Sequence, residues 1–156
     1  MPRAWRIIKR KFVDHAFDGE GSRLYGSRWT SPGHPVVFAA ETLSLAVLEV
    51  LVHLQSAVPL ADYVTFTVEY SERLVEDLGP AMLPINWRDY PAPTTVRHLG
   101  DAWVRRGSSG LLRVPSAIIP HEHNFVINPA HSHFAQLLIE GPIPLEIDPR
   151  VFRRAK

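Results

Sequence analysis

Three side chains of complementary chemistry stand far apart in the chain: the guanidinium of Arg28, the carboxylate of Glu49 and the hydroxyl of Ser116. Brought together they would offer a cation, an acceptor and a hydroxyl to a polar ligand such as a sugar phosphate. Glu49 is the most informative of the three. It lies among Leu45, Ala46, Val47, Leu48, Val50, Leu51, Val52 and Leu54, a run interrupted only by Glu49 and His53, which at i, i+4 share one helix face. An ionised carboxylate in apolar surroundings is costly unless a cation or several donors meet it. Arg28, just before the preceding apolar run, is the natural candidate. A purely structural Arg28/Glu49 pair is the plainer alternative and would make the protein a binding module without catalysis.

Two other groupings compete for a role. His121, His123, His131 and His133 fall close together with Glu122, and imidazole and carboxylate are ligands that zinc, iron or nickel would accept. That leaves a metal-dependent hydrolase or oxygenase as a rival reading, although Pro120 and Pro129 interrupt the segment and no HExxH spacing is present. A Ser/His/acid triad from Ser116, a histidine and Glu49 or Asp101 lacks the G-x-S-x-G turn that would mark a nucleophile.

The elements that must position these residues can be read from periodicity. Ser31 to Pro35 is turn chemistry, Val36 to Ala40 reads as a buried strand, and Thr42 can cap the helix that carries Glu49. Trp5 to Ile8 reads as a first strand carrying Arg6, and Asp18 to Ser27 as glycine-rich turns. Tyr63 to Tyr70 alternates in period two, the clearest strand signal in the chain. Residues 71 to 93 are proline-rich and read as a surface excursion with a helical turn near 71 to 78. Thr94 to Arg106 places Val96, Leu99, Ala102 and Trp103 on one face, with Gly107 as its stop and Gly100 as an unfavourable interior residue. Leu111 to Ile119 is β-like but broken at Pro115, which marks an edge or bulge that would re-aim Ser116. Asn124 to Asn128 and Leu145 to Asp148 are two further short strands, with Asn124, Asn128 and His131 read as scaffold that pins strand ends to backbone. Strands outnumber helices without regular alternation, which favours an α+β fold.

Composition narrows the field. With 156 residues, 46% of them hydrophobic, the chain can bury one sizeable core, and its 14 prolines and 9 glycines are spread too evenly to mark a linker, so residues 1–156 read as a single domain. A net charge of +1 gives no broad basic footprint, which argues against direct nucleic-acid binding. The absence of cysteine excludes disulfides and thiolate catalysis. No secretory leader or stretch of about 20 apolar residues is evident, so a cytoplasmic location with no membrane association is expected.

Taken in order, the motifs W-R-I, G-S-R-W, P-V-V-F-A-A, L-A-V-L-E-V-L-V-H-L, L-G-D-A-W, R-V-P-S-A-I-I-P, N-F-V-I-N-P-A-H and I-D-P-R resemble the RES domain, from Trp5 to Arg150. RES domains are toxin halves of bacterial Xre/RES toxin–antitoxin pairs, named for an Arg, a Glu and a Ser. The resemblance places these at Arg28, Glu49 and Ser116, with Ser132 as the other candidate serine. It implies an α+β core of mixed or antiparallel strands, similar to ADP-ribosyltransferases and built around a central buried helix. It also implies NAD as a substrate, cleaved between nicotinamide and ribose by hydrolysis or phosphorolysis, or used to modify a protein. No metal is expected, and the implied partner is an Xre-type helix-turn-helix antitoxin. On this reading Glu49 supports the sugar cation, Arg28 and Arg6 hold the pyrophosphate, Ser116 donates to the amide or ribose, and Trp29 and Phe38 wall the nicotinamide. The family commonly carries Tyr where this chain has Phe38, so any function of that hydroxyl is absent here.

Overall fold

A computed structural model describes residues 1–54 and 60–152; positions 55–59 and 153–156, part of the expected 1–156 domain, lie outside the described residues. The strands are β1 (Arg3–Lys9), β2 (Val37–Ala40), β3 (Tyr63–Glu69), β4 (Val75–Asp77), β5 (Leu111–Pro115), β6 (His123–Ile127) and β7 (Leu138–Pro144). Among the described residues three α-helices accompany them: α1 (Glu20–Tyr25), α2 (Leu43–Leu51) and α3 (Thr94–Arg106). The strands form one mixed sheet in the order β4-β5-β6-β2-β1-β3-β7, antiparallel throughout except where β4 runs parallel to β5.

Alternation along the strands assigns side chains to two faces. Ala4 and Ile8 pack on one side with Val37, Ala39, Val64, Phe66, Val68, Phe125 and Ile127. Trp5 and Ile7 point to the other, where they meet Ala40, Leu45 and Ala46 of the β2–α2 unit. That second face also carries Val36, Leu112, Val114 and Val126, covered by Val96 and Trp103 of α3. The sheet is not paired evenly. β1 and β3 match over seven positions from Arg3↔Glu69 to Lys9↔Tyr63, whereas β1 and β2 share only Trp5↔Ala40. The two halves of the sheet therefore diverge beside α2.

Helix α2 begins as its sequence requires: Thr42 Oγ1 accepts a hydrogen bond from Leu45 N at 3.1 Å. Leu45 and Ala46 are buried, Val47, Val50 and Leu51 pack around Tyr63 and Leu145, and Leu48 and Val52 remain accessible on the outer edge. Helix α3 ends at Gly107, whose φ of 62° supplies the left-handed stop.

Four local expectations are corrected. The Asp18–Ser27 segment holds the short helix α1, closed by an Arg23–Glu20 pair. The 71–93 excursion contributes the strand β4, three residues too short to show a period. β5 ends at Pro115 and is interior; its pairing with β4 runs from Leu111 to Arg113 and stops there, so β4 does not require the missing N–H of Pro115. The last strand is β7 at 138–144 rather than 145–148. Its Pro142 and Pro144 are tolerated because among the described residues β7 pairs with β3 alone, at the end of the sheet. Leu145 instead packs under α2 with Tyr63.

Candidate active site

Glu49 lies in the second half of α2 on the α2/α3 side of the sheet and is half-buried. One carboxylate oxygen, Oε1, accepts two hydrogen bonds, from Ser116 Oγ at 2.8 Å and from Asn124 Nδ2 at 2.7 Å. The other oxygen takes no bond from the described residues. Ser116 is fully buried, and its hydroxyl also accepts from Ile118 N and Ile119 N, both at 3.1 Å. The serine therefore uses its single proton on Glu49 while its lone pairs close the turn after β5. It acts as a holder of the carboxylate. Ser132, by contrast, is exposed at the start of the 3-10 turn 132–136.

Arg28 sits at the tip of a tight turn closed by Ser27 N to Thr30 O (2.8 Å) and by Ser27 Oγ to Thr30 Oγ1 (2.8 Å). Its Nη1 donates to the carbonyls of Trp87 (2.9 Å) and Asp89 (3.0 Å). Burial pushes its pKa below the ordinary arginine value, and Glu49 is the largest opposing charge, followed by Asp89 and Tyr90. No direct ion pair joins Arg28 to Glu49 among the described residues, and Nε and Nη2 of Arg28 carry no bond there. Arg88 Nε meanwhile donates to Ala117 O at 2.9 Å, so the 84–91 segment ties the Arg28 turn to the Ser116 turn.

Arg28, Glu49 and Ser116 are thus brought to one region, joined by Asn124. From sequence alone Asn124 reads as a strand-end scaffold. Its amide is directed at Glu49 because Asn124 pairs with Ala40 in the β2–β6 ladder and shares the face over which α2 lies. A polar residue opening a strand, on the same face as the apolar Val126, is the one local signal that could have shown this. Phe38 is opposite Val126, hence on that same face, half-buried against the Trp29 and Val36 cluster.

Arg6 and Trp29 make no hydrogen bond to Glu49, Ser116 or Asn124 and have surroundings of their own. Arg6 leaves β1 on the opposite face from Trp5 and Ile7, lies 5.6 Å from the Phe17 ring centroid, and donates from Nε to Ala16 O (2.6 Å) and from Nη1 to Phe38 O (3.0 Å). Burial brings its pKa down to about 10, with Asp18 opposing the shift. Its position bridges the divergence between β1 and β2 and holds the backbone that carries Phe38. Trp29 is only 3% exposed, packed in the α3 core with its ring 6.2 Å from that of Trp87.

Two of the four clustered histidines, His131 and His133, are engaged in backbone architecture. His131 Nδ1 accepts from His133 N (3.0 Å) and its Nε2 meets Gly107 O (2.8 Å), while His133 Nδ1 accepts from Gly110 N (3.1 Å). His123 approaches Glu41 at 3.5 Å, and His121 is exposed. Among the described residues no group of three or more His, Cys, Asp or Glu is placed to hold a metal ion.

The fold is one mixed sheet that diverges beside α2, with Glu49 of that helix and the Arg28 turn brought to one region. A chain of the crystal structure of the M. tuberculosis MbcT–MbcA toxin–antitoxin complex shares the fold, with a TM-score of 0.75 at 21% identity over 92% of this chain and 84% of that one. More specifically, the chain belongs to the RES domain family, which matches residues 3–148. It is similar to "Toxin Res" of Yersinia enterocolitica, 36% identical over 148 residues covering 94% of this chain and 97% of the relative. It is also similar to "Prs ADP-ribosylating toxin" of Sphingobium sp. strain YBL2, 34% identical over 157 residues covering 97% of both. No helix among the described residues is long and apolar enough to cross a membrane.

Proposed function

We propose that this protein is the NAD-degrading toxin of a toxin–antitoxin pair, cleaving the bond between nicotinamide and ribose. The observation that carries the reading is the asymmetric clamp on Glu49: one oxygen is fixed by Ser116 and Asn124, and the other takes no bond from the described residues, while the half-buried Arg28 feels the carboxylate's charge without a direct ion pair.

Breaking the N-glycosidic bond sends its electron pair to the nicotinamide nitrogen and leaves an oxocarbenium-like sugar, as in glycoside cleavage. Glu49 stabilises that positive charge electrostatically and accepts a hydrogen bond from a ribose hydroxyl. Because its geometry is fixed in advance by two donors, little reorganisation accompanies the reaction. Arg28 offers Nε and Nη2 to the pyrophosphate. Phe38 supplies the apolar wall, and Arg6 supports it from behind β2. An acceptor oxygen then bonds to the sugar carbon and loses its proton. Water gives hydrolysis, phosphate gives phosphorolysis, and a protein side chain gives ADP-ribosylation. The name of the Sphingobium relative favours protein ADP-ribosylation as the second reading. We further propose a cytoplasmic location and an Xre-type helix-turn-helix antitoxin that covers the cleft, supported by the toxin–antitoxin complex among the fold's neighbours.

The test is to incubate the pure protein with NAD, with and without phosphate and with a bacterial lysate, following nicotinamide and identifying the sugar product. Release of nicotinamide that chelator leaves unchanged, and that Glu49→Gln abolishes, is expected. A preparation inert in all three conditions refutes the reading.

A further inference from the structure

The turn that presents Arg28 is locked from α3, one helix that contributes nothing to the carboxylate clamp. Asp101 is a buried acid with a side chain only 6% exposed, and it has no role in the chemistry derived above. Its carboxylate accepts from Ser31 N at 2.8 Å through Oδ1 and from Ser31 Oγ at 2.6 Å through Oδ2, with His34 Nε2 3.5 Å away. The residue before it, Gly100, touches the same turn. A Cβ built there would stand 1.7 Å from Trp29 O and 3.1 Å from Thr30 Cγ2. Adjacent positions of one helix therefore fix the backbone at Trp29 and at Ser31, immediately after the arginine. Thr30 between them is fully buried and bonded back to Ser27.

A buried carboxylate is costly, and its two short hydrogen bonds to Ser31, with His34 Nε2 nearby, compensate it. The bidentate grip permits one placement of the turn. We propose that Asp101 is a positioning residue, which holds the 27–31 turn so that Arg28 reaches the carbonyls of Trp87 and Asp89 and keeps its remaining donors directed at the substrate's pyrophosphate. The catalytic part of this statement rests on the NAD reading above; the structural part does not. Ser31 is the receiving end of the brace, and Gly100 is required because any side chain would displace the carbonyl of Trp29.

The two parts are separable experimentally. In ligand-free protein, NMR signals of the Arg28 guanidinium, assigned by their loss in Arg28→Lys, report whether Nη1 remains bonded. Asp101→Ala should collapse them toward the averaged signal of an unrestrained arginine. Asp101→Asn, which can accept from Ser31 N and donate to Ser31 Oγ, should restore them. With NAD, Asp101→Ala should raise KM about tenfold with a much smaller change in kcat, the pattern for loss of uniform binding. It should add nothing further in an Arg28→Ala background, because both changes remove the same interaction. If Asp101→Ala does not fold, Ser31→Ala removes only the 2.6 Å bond and should move both readouts in the same direction by less. Unchanged Arg28 signals in a folded variant of either kind, or full additivity with Arg28→Ala, overturn the proposal. If the wild-type protein releases no nicotinamide, the NAD reading fails and the NMR comparison still decides the positioning.

Discussion

Replacing Glu49 with Gln separates the charge of this side chain from its shape. The amide oxygen of Gln can accept both existing donors, Ser116 Oγ and Asn124 Nδ2, so the clamp survives and the new NH2 occupies the side now bare of partners. Two hydrogen bonds change from charge-assisted to neutral, a loss of about 1–2 kcal/mol that half-exposure reduces further. Stability should thus fall by only a few degrees in Tm. Turnover should respond far more. Opposite unit charges about 4 Å apart at an effective dielectric near 20 attract by about 4 kcal/mol. Losing that attraction to the sugar cation slows the chemical step about a thousandfold. Nicotinamide release should be measured by chromatography alongside a thermal melt of the same sample. Retention of more than about a tenth of the wild-type rate would refute the reasoning. So would a Tm lowered by more than about 10 °C, because the carboxylate would then be holding elements together rather than serving the ligand.

Other changes test the surroundings. Ser116→Ala leaves the N–H groups of Ile118 and Ile119 without an acceptor and deprives Glu49 of a donor; a loss of about 2–4 kcal/mol in urea denaturation, with reduced turnover, is expected. Asn124→Asp sets a second carboxylate within hydrogen-bonding distance of Glu49, so one of the two must take up a proton and turnover at neutral pH should fall at least tenfold while the protein still folds. Gly100→Ala raises helix propensity by about 1 kcal/mol yet should destabilise by about 3 kcal/mol or more, because the added carbon meets backbone; a higher denaturation midpoint would contradict this. The pKa of His133 is lowered by desolvation first and then by His131 and Arg73, in keeping with its Nδ1 accepting from Gly110 N. Its folded value lies below the unfolded value near 6.5, so the unfolded chain binds the extra proton and this contribution to stability is complete above that pH and declines as pH falls below it. Melting temperatures of wild type and His133→Asn, which keeps an acceptor without titrating there, should diverge between pH 8 and pH 5.5, with the wild type more pH-sensitive.

Elements with a strong local period were legible. The alternation in YVTFTVE gave β3, and the Thr42 cap with its apolar run gave α2, because burial on one face leaves a repeat in the sequence. β4 and β7 leave no such repeat: one is three residues long, and the other contains two prolines that a sheet-edge strand tolerates. Gly100 reads locally as a defect in a helix. Its necessity lies in the Trp29 carbonyl, seventy-one positions earlier, and no propensity scale records such a contact.

The sequence by itself determined that Glu49 would need partners, since an acid within an apolar helix cannot go without them. It also determined the order of motifs that marks the family. Only the tertiary structure decided who those partners are. Sheet register brings Asn124 opposite Ala40 and beneath α2, the turn after β5 delivers Ser116, and strand alternation sends Arg6 to the other face. These choices depend on pairings between residues many positions apart. A local pattern specifies which face of an element is buried, but not which distant element will cover it.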